Sequence, residues 1–468
     1  MVKNIFCLWL ALFMTQHVSA QVKEKQATQK QPNIVFILAD DLGYGDLGCY
    51  GSARIRTPHL DALAKSGVRF TRFYSGSTVC APSRASLMTG LHTGHVTVRG
   101  NGEVPLSASD KILPQYLKEA GYTTGLFGKW GLGQKDTDGV PEKKGWDYFS
   151  GLLHHVEGHY QKPDSGWQII NGLSTRVAIP DNQFSNEWFL NEAKSFISNH
   201  SQHPFFAYLS FTLPHAELKV PGKYLDPYLD ASGKSIFEPE IAHGAGKHYG
   251  PQPFPKAAYA AMITQMDSYV GELVDLLNKK NLLDNTILIF TSDNGTHKEG
   301  GRSQDDITFF KSSGEFRGAK RDLYEGGIRV PFIISWKNGL EKNIVKHDIG
   351  AFWDLLPTLG EMTGVSANDK ADGISLVPLL KGKSQNIHKP LYWEFYEVGF
   401  KQAVVSGSWK AIRYYKGAEP SHTELYNLSA DPSEKNNLAL QNPEKRIELE
   451  AIMQKERTSS THPLFQIK

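Results

Sequence analysis

Asn33-Ile-Val-Phe-Ile-Leu-Ala39 runs directly into Asp40-Asp41-Leu-Gly-Tyr-Gly-Asp46. An unbroken apolar run rich in branched and aromatic residues predicts a strand buried on both faces. Three other stretches repeat the pattern. Thr123–Phe127 meets Gly128-Lys129-Trp130, Phe205–Phe211 meets Pro214-His215, and Thr286–Phe290 meets Ser292-Asp293-Asn294. Helical periodicity lies between and around them, over Thr57–Lys65, Ser83–Thr89, Ile112–Ala120, Asn186–Asn199 and Lys256–Asn281. Strands alternating with helices predict an α/β fold, a large, mostly parallel or mixed sheet flanked by helices. Ligands of such sheets bind beyond the carboxyl ends of the strands. The charged and polar residues of this chain gather at those ends.

Outward from this core the composition changes. From about Gly382 the strand-like runs Leu391–Tyr396, Gln402–Val405 and Lys410–Tyr415 follow closely, and a helix is expected at Pro443–Lys455. This predicts a small antiparallel sheet with a helix, residues 383–468, appended to a main domain at 33–382. Lys219–Pro255, rich in Pro, Gly and His, reads as a long surface loop, functional or a plain insertion. At the other end, Lys3, the apolar run Ile5–Met14 and Val18-Ser19-Ala20 form a secretory signal over residues 1–20. That run is too short to span a bilayer. A polar lead-in follows at 21–32. The 468 residues are 40% hydrophobic and 21% charged, with net charge +2. This suits an enzyme without stable membrane insertion and excludes a nucleic-acid footprint. Three cysteines, one of them in the signal, make no disulfide framework. Cys49 and Cys80 either pair or stay apart.

Two features suggest chemistry directly. Asp40-Asp41 places two carboxylates side by side after a buried strand, where repulsion and desolvation both cost energy. A divalent cation relieves both, and Asp293-Asn294 offers a second oxygen pair after another strand. All-oxygen donors suit calcium or magnesium rather than zinc. The competing reading is a helix cap or a solvated turn. The second feature is Cys80-Ala-Pro-Ser-Arg84. Pro82 suits the first turn of a helix, whose N-terminus favours negative charge, and Arg84 falls one turn after Cys80 on the same face. Tyr160, Trp167 and Trp188 are read as core aromatics, with stacking on sugar rings as the alternative.

Cys80-Ala-Pro-Ser-Arg84 resembles the C-x-P-x-R signature of the sulfatases, an alkaline phosphatase-like family. Further motifs from Asn33 to Asp431 agree: Ile37–Asp46, Gly128-Lys-Trp-Gly-Leu-Gly133, Thr212-Leu-Pro-His215, Thr291-Ser-Asp-Asn-Gly295, Phe316–Pro331, and Glu424–Leu428 with Asp431-Pro432. The resemblance implies that a maturating enzyme oxidises Cys80 to formylglycine, the nucleophile of sulfate-ester hydrolysis. It implies one Ca2+ held by Asp40, Asp41, Asp293, Asn294 and the modified Cys80. It assigns Arg84 and Lys129 to the nucleophile, Lys129 and Lys320 to sulfate, and His215 to sulfate and the leaving oxygen. Glu325 and Arg329 are expected to brace a loop. His297 either lines the substrate pocket or is an ordinary surface histidine. Gly131 departs from the family, which has a histidine there. His154, His155 and His159 are candidates to replace it, or the sugar itself enters the space, as the glycine-rich loop favours.

The expected activity is removal of sulfate from a carbohydrate, such as an algal galactan, ulvan or a glycosaminoglycan, in the periplasm or outside the cell. The alternatives are a phosphatase or phosphodiesterase of the same superfamily, or an inactive protein that binds sulfated glycans.

Overall fold

The computed structural model describes residues 31–180, 183–245, 249–366, 371–383 and 388–467. The signal expected at 1–20 and most of the expected lead-in lie outside the described residues.

The large sheet contains β1 (Asn33–Ala39), β2 (Val68–Tyr74), β3 (Thr123–Lys129), β4 (Tyr148–Leu152), β5 (Ser165–Ile170), β6 (Leu173–Ala178), β7 (Phe205–Ser210), β8 (Thr286–Ser292), β9 (Arg329–Ser335) and β10 (Ile344–Ala351). Their spatial order is β10-β2-β9-β8-β1-β7-β3-β4-β5-β6. The centre, β8-β1-β7-β3-β4, is parallel. β9 and the β5–β6 hairpin are antiparallel to their neighbours. The sheet is therefore mixed with a parallel core.

Every residue of β1 is buried, and its two sets of side chains enter different cores. Val35, Ile37 and Ala39 face one helical layer with α1 (Pro58–Lys65), α4 (Ser185–Asn199) and α5 (Pro255–Lys279). Ile34, Phe36 and Leu38 face the other, with α2 (Cys80–Thr89), α3 (Leu113–Glu119) and α6 (Leu355–Thr363). Burial on both sides is why the run carries no polar alternation.

The second sheet, β11 (Leu391–Phe395), β12 (Lys401–Ser406), β13 (Trp409–Lys416) and β14 (Glu419–Asn427), is antiparallel in sequential order. One face holds α7 (Pro443–Lys455) through Leu449 and Met453. The opposite face shares a core with the main sheet, where Leu391, Trp393 and Phe395 join Tyr74, Val79, Ile328 and Trp353.

Candidate active site

Five segments converge at the carboxyl edge of the parallel strands. Asp40 and Asp41 follow β1, Asp293 and Asn294 follow β8, and Lys129 is the last residue of β3. His215 follows β7, and α2 begins at Cys80 itself, earlier than the periodicity predicts. The strand register continues into the loops. Asp293 N–H donates to Ala39 O at 3.0 Å and Asp40 N–H to Leu213 O at 2.9 Å. Asp41 has φ +64, a left-handed conformation that turns the chain back on itself. Its N–H donates to Asp293 Oδ1 at 3.1 Å.

Each buried carboxylate has a cation. Lys129 Nζ is 2.7 Å from Asp40 Oδ2, and Lys320 Nζ is 2.7 Å from Asp41 Oδ2. Arg84 reaches Asp293 Oδ2 at 2.8 Å and also donates to Lys129 O and Ser210 Oγ. Burial alone would raise the Asp40 carboxyl, but the Lys129 and Arg84 charges hold it well below the usual range. Asp293 is pushed up to about 7, first by burial and then by the Asp40 charge. Burial pushes the Cys80 thiol well above its ordinary value, helped by Asp293 and Asp40. An unmodified Cys80 is thus a neutral thiol and a poor nucleophile. Cys49 and Cys80 are both free. Burial pushes the Cys49 thiol up to about 12.

The donor set fits a hard cation. Ligand atoms of Asp40, Asp41, Cys80 and Asp293 lie within 4.8 Å of one another. Asn294 Oδ1 is buried beside them with no hydrogen-bond partner, while Asn294 Nδ2 donates to Asp41 Oδ1 at 2.7 Å. A buried unpaired carbonyl among carboxylates is costly unless an ion satisfies it.

His215 has a defined tautomer. Its Nδ1–H donates to Ala216 O at 2.5 Å. Its Nε2 therefore accepts from Lys320 Nζ at 3.0 Å. Burial, with Lys320 next, lowers its pKa well below the ordinary histidine value. His297 is fully buried. Its Nε2–H donates to Pro214 O at 3.1 Å, and its Nδ1 accepts Glu299 N–H at 3.1 Å. Neither ring nitrogen is left for a substrate, so His297 sits beneath the pocket rather than in its wall or on the surface. Glu325 and Arg329 pair at 3.1 Å, and Arg329 also holds Thr71 O, 2.8 Å from its Nε.

Cys80 opens into a cavity of about 710 Å³, whose walls include Asn101, His155, His159, Tyr249 and Lys320. His159 stacks on His215 with ring centroids 4.3 Å apart. A Cβ at Gly131 would lie 3.6 Å from His155 Cβ. Of the three candidate histidines, His155 is therefore the one within ordinary contact distance of Gly131. Gly131 has φ +74, so any side chain there is strained. Trp188 belongs to the core. Tyr160 and Trp167 line a separate cavity of about 680 Å³ with Arg176.

Sequence reasoning missed Glu299, Tyr249 and Arg321 in the cavity wall. Two of them carried a signal. Glu299 lies soon after the Asp293-Asn294 pair, and Arg321 adjoins Lys320. Tyr249 lies in the long Pro/Gly/His-rich loop and had none of its own.

The sulfatase family model matches residues 32–365. The chain belongs to the sulfatase family. A second match, to the C-terminal part of N-sulphoglucosamine sulphohydrolase, covers residues 314–460. This sulfatase is 32% identical to an N-acetylgalactosamine-6-O-sulfatase of Bacteroides thetaiotaomicron, over 93% of this chain and 95% of the relative. It is 31% identical to arylsulfatase A of Homo sapiens, over 88% of this chain and 84% of that one. The crystal structure of Ps i-CgsB with k-i-k-neocarrahexaose superposes with a TM-score of 0.75 at 25% identity, covering 94% of this sulfatase and 95% of that chain. The sulfatase is a sulfuric ester hydrolase. Among the described residues, no helix is long and apolar enough to cross a membrane.

Proposed function

We propose that this sulfatase removes sulfate from a carbohydrate, with Cys80 as the precursor of a formylglycine nucleophile and one Ca2+ beside it. The observation that carries the reading is the convergence of Asp40, Asp41, Asp293 and the unpaired Asn294 Oδ1 on Cys80, among Arg84, Lys129 and Lys320. The relatives that act on or bind carbohydrates support the substrate class. Ca2+ held by Asp40, Asp41, Asp293, Asn294 and residue 80 would neutralise charge on the sulfate ester. Formylglycine would supply one hydroxyl to attack sulfur and a second for release of sulfate.

The chain's own residues do the rest. Lys129 and Arg84, at the base of the site, hold the nucleophile's side chain and offset its negative charge. Lys320 donates to a sulfate oxygen. The leaving sugar oxygen needs a proton, and His215 Nε2 with Lys320 Nζ is the pair placed to deliver it. In the free site Nε2 holds no proton of its own. The negative charge of bound sulfate favours protonation of Nε2 from solvent, and that proton then passes to the leaving oxygen. Residues 33–382 form the catalytic unit and 383–468 its appendage. The signal at 1–20 directs the chain to the periplasm or beyond, after a maturating enzyme has acted on Cys80.

Mass spectrometry of the Cys80 peptide from active protein tests the nucleophile, which should have lost its thiol and gained an aldehyde. Cys80→Ser should fold normally and lose nearly all turnover. Chelation should abolish activity, and calcium should restore it. Fully active protein with an intact Cys80 thiol, or with stoichiometric zinc, overturns the reading.

A further inference from the structure

Above the buried cations, the cavity wall changes character. Arg321 has φ +75, unusual for a residue with a Cβ, and is anchored by its N–H to Thr78 O at 3.1 Å. This conformation holds its side chain between two carboxylates. Arg321 Nη1 is 2.6 Å from Glu299 Oε1, and its Nε is 3.2 Å from Glu397 Oε2. Glu299 comes from the loop after β8. Glu397 comes from the turn between β11 and β12, in the other sheet. All three line the cavity that Cys80 opens into. Their side chains are 21%, 31% and 41% exposed for Glu299, Glu397 and Arg321, so each can meet a ligand.

Two carboxylates at the mouth of a site built for an anion call for a reason. Glu299 also receives Tyr249 O–H at 3.2 Å and stands 3.8 Å from Lys320 Nζ, which explains its position beside the sulfate pocket. Glu397 has no such link to that pocket. Arg321 is shared by the two acids while Lys298 Nζ turns to Gln304 Oε1 at 3.2 Å, so this rim carries no excess positive charge to hold a second anion. It offers carboxylate oxygens that accept hydroxyl protons, and guanidinium N–H groups that donate. Sugar hydroxyls do both.

We propose that Glu299, Arg321 and Glu397 form a clamp for uncharged hydroxyls flanking the scissile sulfate, and that the clamp rejects a sugar with a second sulfate or a carboxylate there. The proposal rests on the sulfatase reading and goes beyond it by naming the neighbouring substituents. Like charges set against one another at an interface disfavour the wrong partner strongly.

The test uses full-length matured enzyme and three probes: a monosulfated sugar, the same sugar with a second sulfate on the adjacent hydroxyl, and a small aryl sulfate. Wild type should favour the monosulfated sugar by about tenfold or more in kcat/KM. Glu397→Gln should raise KM for that sugar with little change in kcat. Glu397→Lys should narrow or reverse the preference, about tenfold or more, while aryl sulfate turnover stays near wild type. Equal use of both sugars by wild type overturns the clamp, as does an unchanged ratio in Glu397→Lys. Absence of turnover on all three probes counts against the sulfatase reading itself. The clamp is then judged by calorimetric affinities for the same two sugars, where the same ratio and the same shift are required.

Discussion

His215 and His297 lie 5.6 Å apart, ring to ring, yet their surroundings separate them. His215 shares Nε2 with Lys320, and in the proposed function it serves the leaving oxygen. A general acid contributes roughly 10²–10⁴-fold, and the contribution is largest for a poor leaving group. His215→Ala should therefore reduce sugar-sulfate hydrolysis far more than aryl-sulfate hydrolysis. Equal losses would assign the ring to sulfate binding alone. His297 instead satisfies two main-chain groups in its neutral form. Burial, then the Arg302 charge, pushes it down to about 4. Between about pH 6.5 and 4 the unfolded chain takes a proton that folded His297 refuses. Its contribution is complete above pH 6.5 and is lost as pH falls toward 4, by up to about 1.4 kcal/mol per pH unit. His297→Gln should flatten that limb of a plot of urea midpoint against pH. An unchanged slope would refute the neutral, buried assignment.

At the scale of elements, the second sheet is tied to the catalytic loops by ions as well as by its apolar face. Lys410 of β13 lies 3.0 Å from Glu325 and 2.9 Å from Glu434, and none of the three is exposed. Tyr74 of β2 donates to Glu325 at 2.9 Å, and Glu325 N–H donates to Glu434 at 2.7 Å. Removing one partner of such a group leaves uncompensated buried charge. Lys410→Met should cost about 3–5 kcal/mol in denaturant unfolding. Because Glu325 ends the segment that carries Lys320, turnover should fall as well. A loss under about 1 kcal/mol would place the cluster among ordinary surface pairs.

Over the whole molecule, the shared core argues for one folding unit. Trp393 packs on Tyr74 and Trp353, and its Nε1–H donates to Ser75 O at 2.9 Å. Cutting the chain after Gly382 would expose that apolar face of the main domain. The fragment is expected to be insoluble or molten, and the full chain to unfold in a single calorimetric transition. Two separate transitions, or a soluble and active fragment, would show that the parts are independent.

The central strands β1, β3, β7 and β8 were legible because a parallel strand covered on both faces must be apolar throughout. The chemistry at their ends was legible because short motifs keep Asp40 with Asp41, Asp293 with Asn294, and Cys80 with Arg84. Other elements were hidden by local pattern. β2 is interrupted by Arg69 and Arg72, which are only half-buried. β9 contains Pro331, which would break a central ladder. It sits instead opposite the irregular step between Phe70 and Phe73 in β2, where a missing N–H costs least. The β5–β6 hairpin carried a usable signal in Asn171-Gly172, both residues having positive φ. The tertiary structure alone decided that His155 lies beside Gly131, that His297 lies under the floor, and that Glu299, Arg321 and Glu397 share one rim. Periodicity reports which face of an element is buried. Which side chains from distant loops meet depends on where the sheet edges bring those loops, and nothing within a few residues of Glu397 records that Arg321 will be its partner.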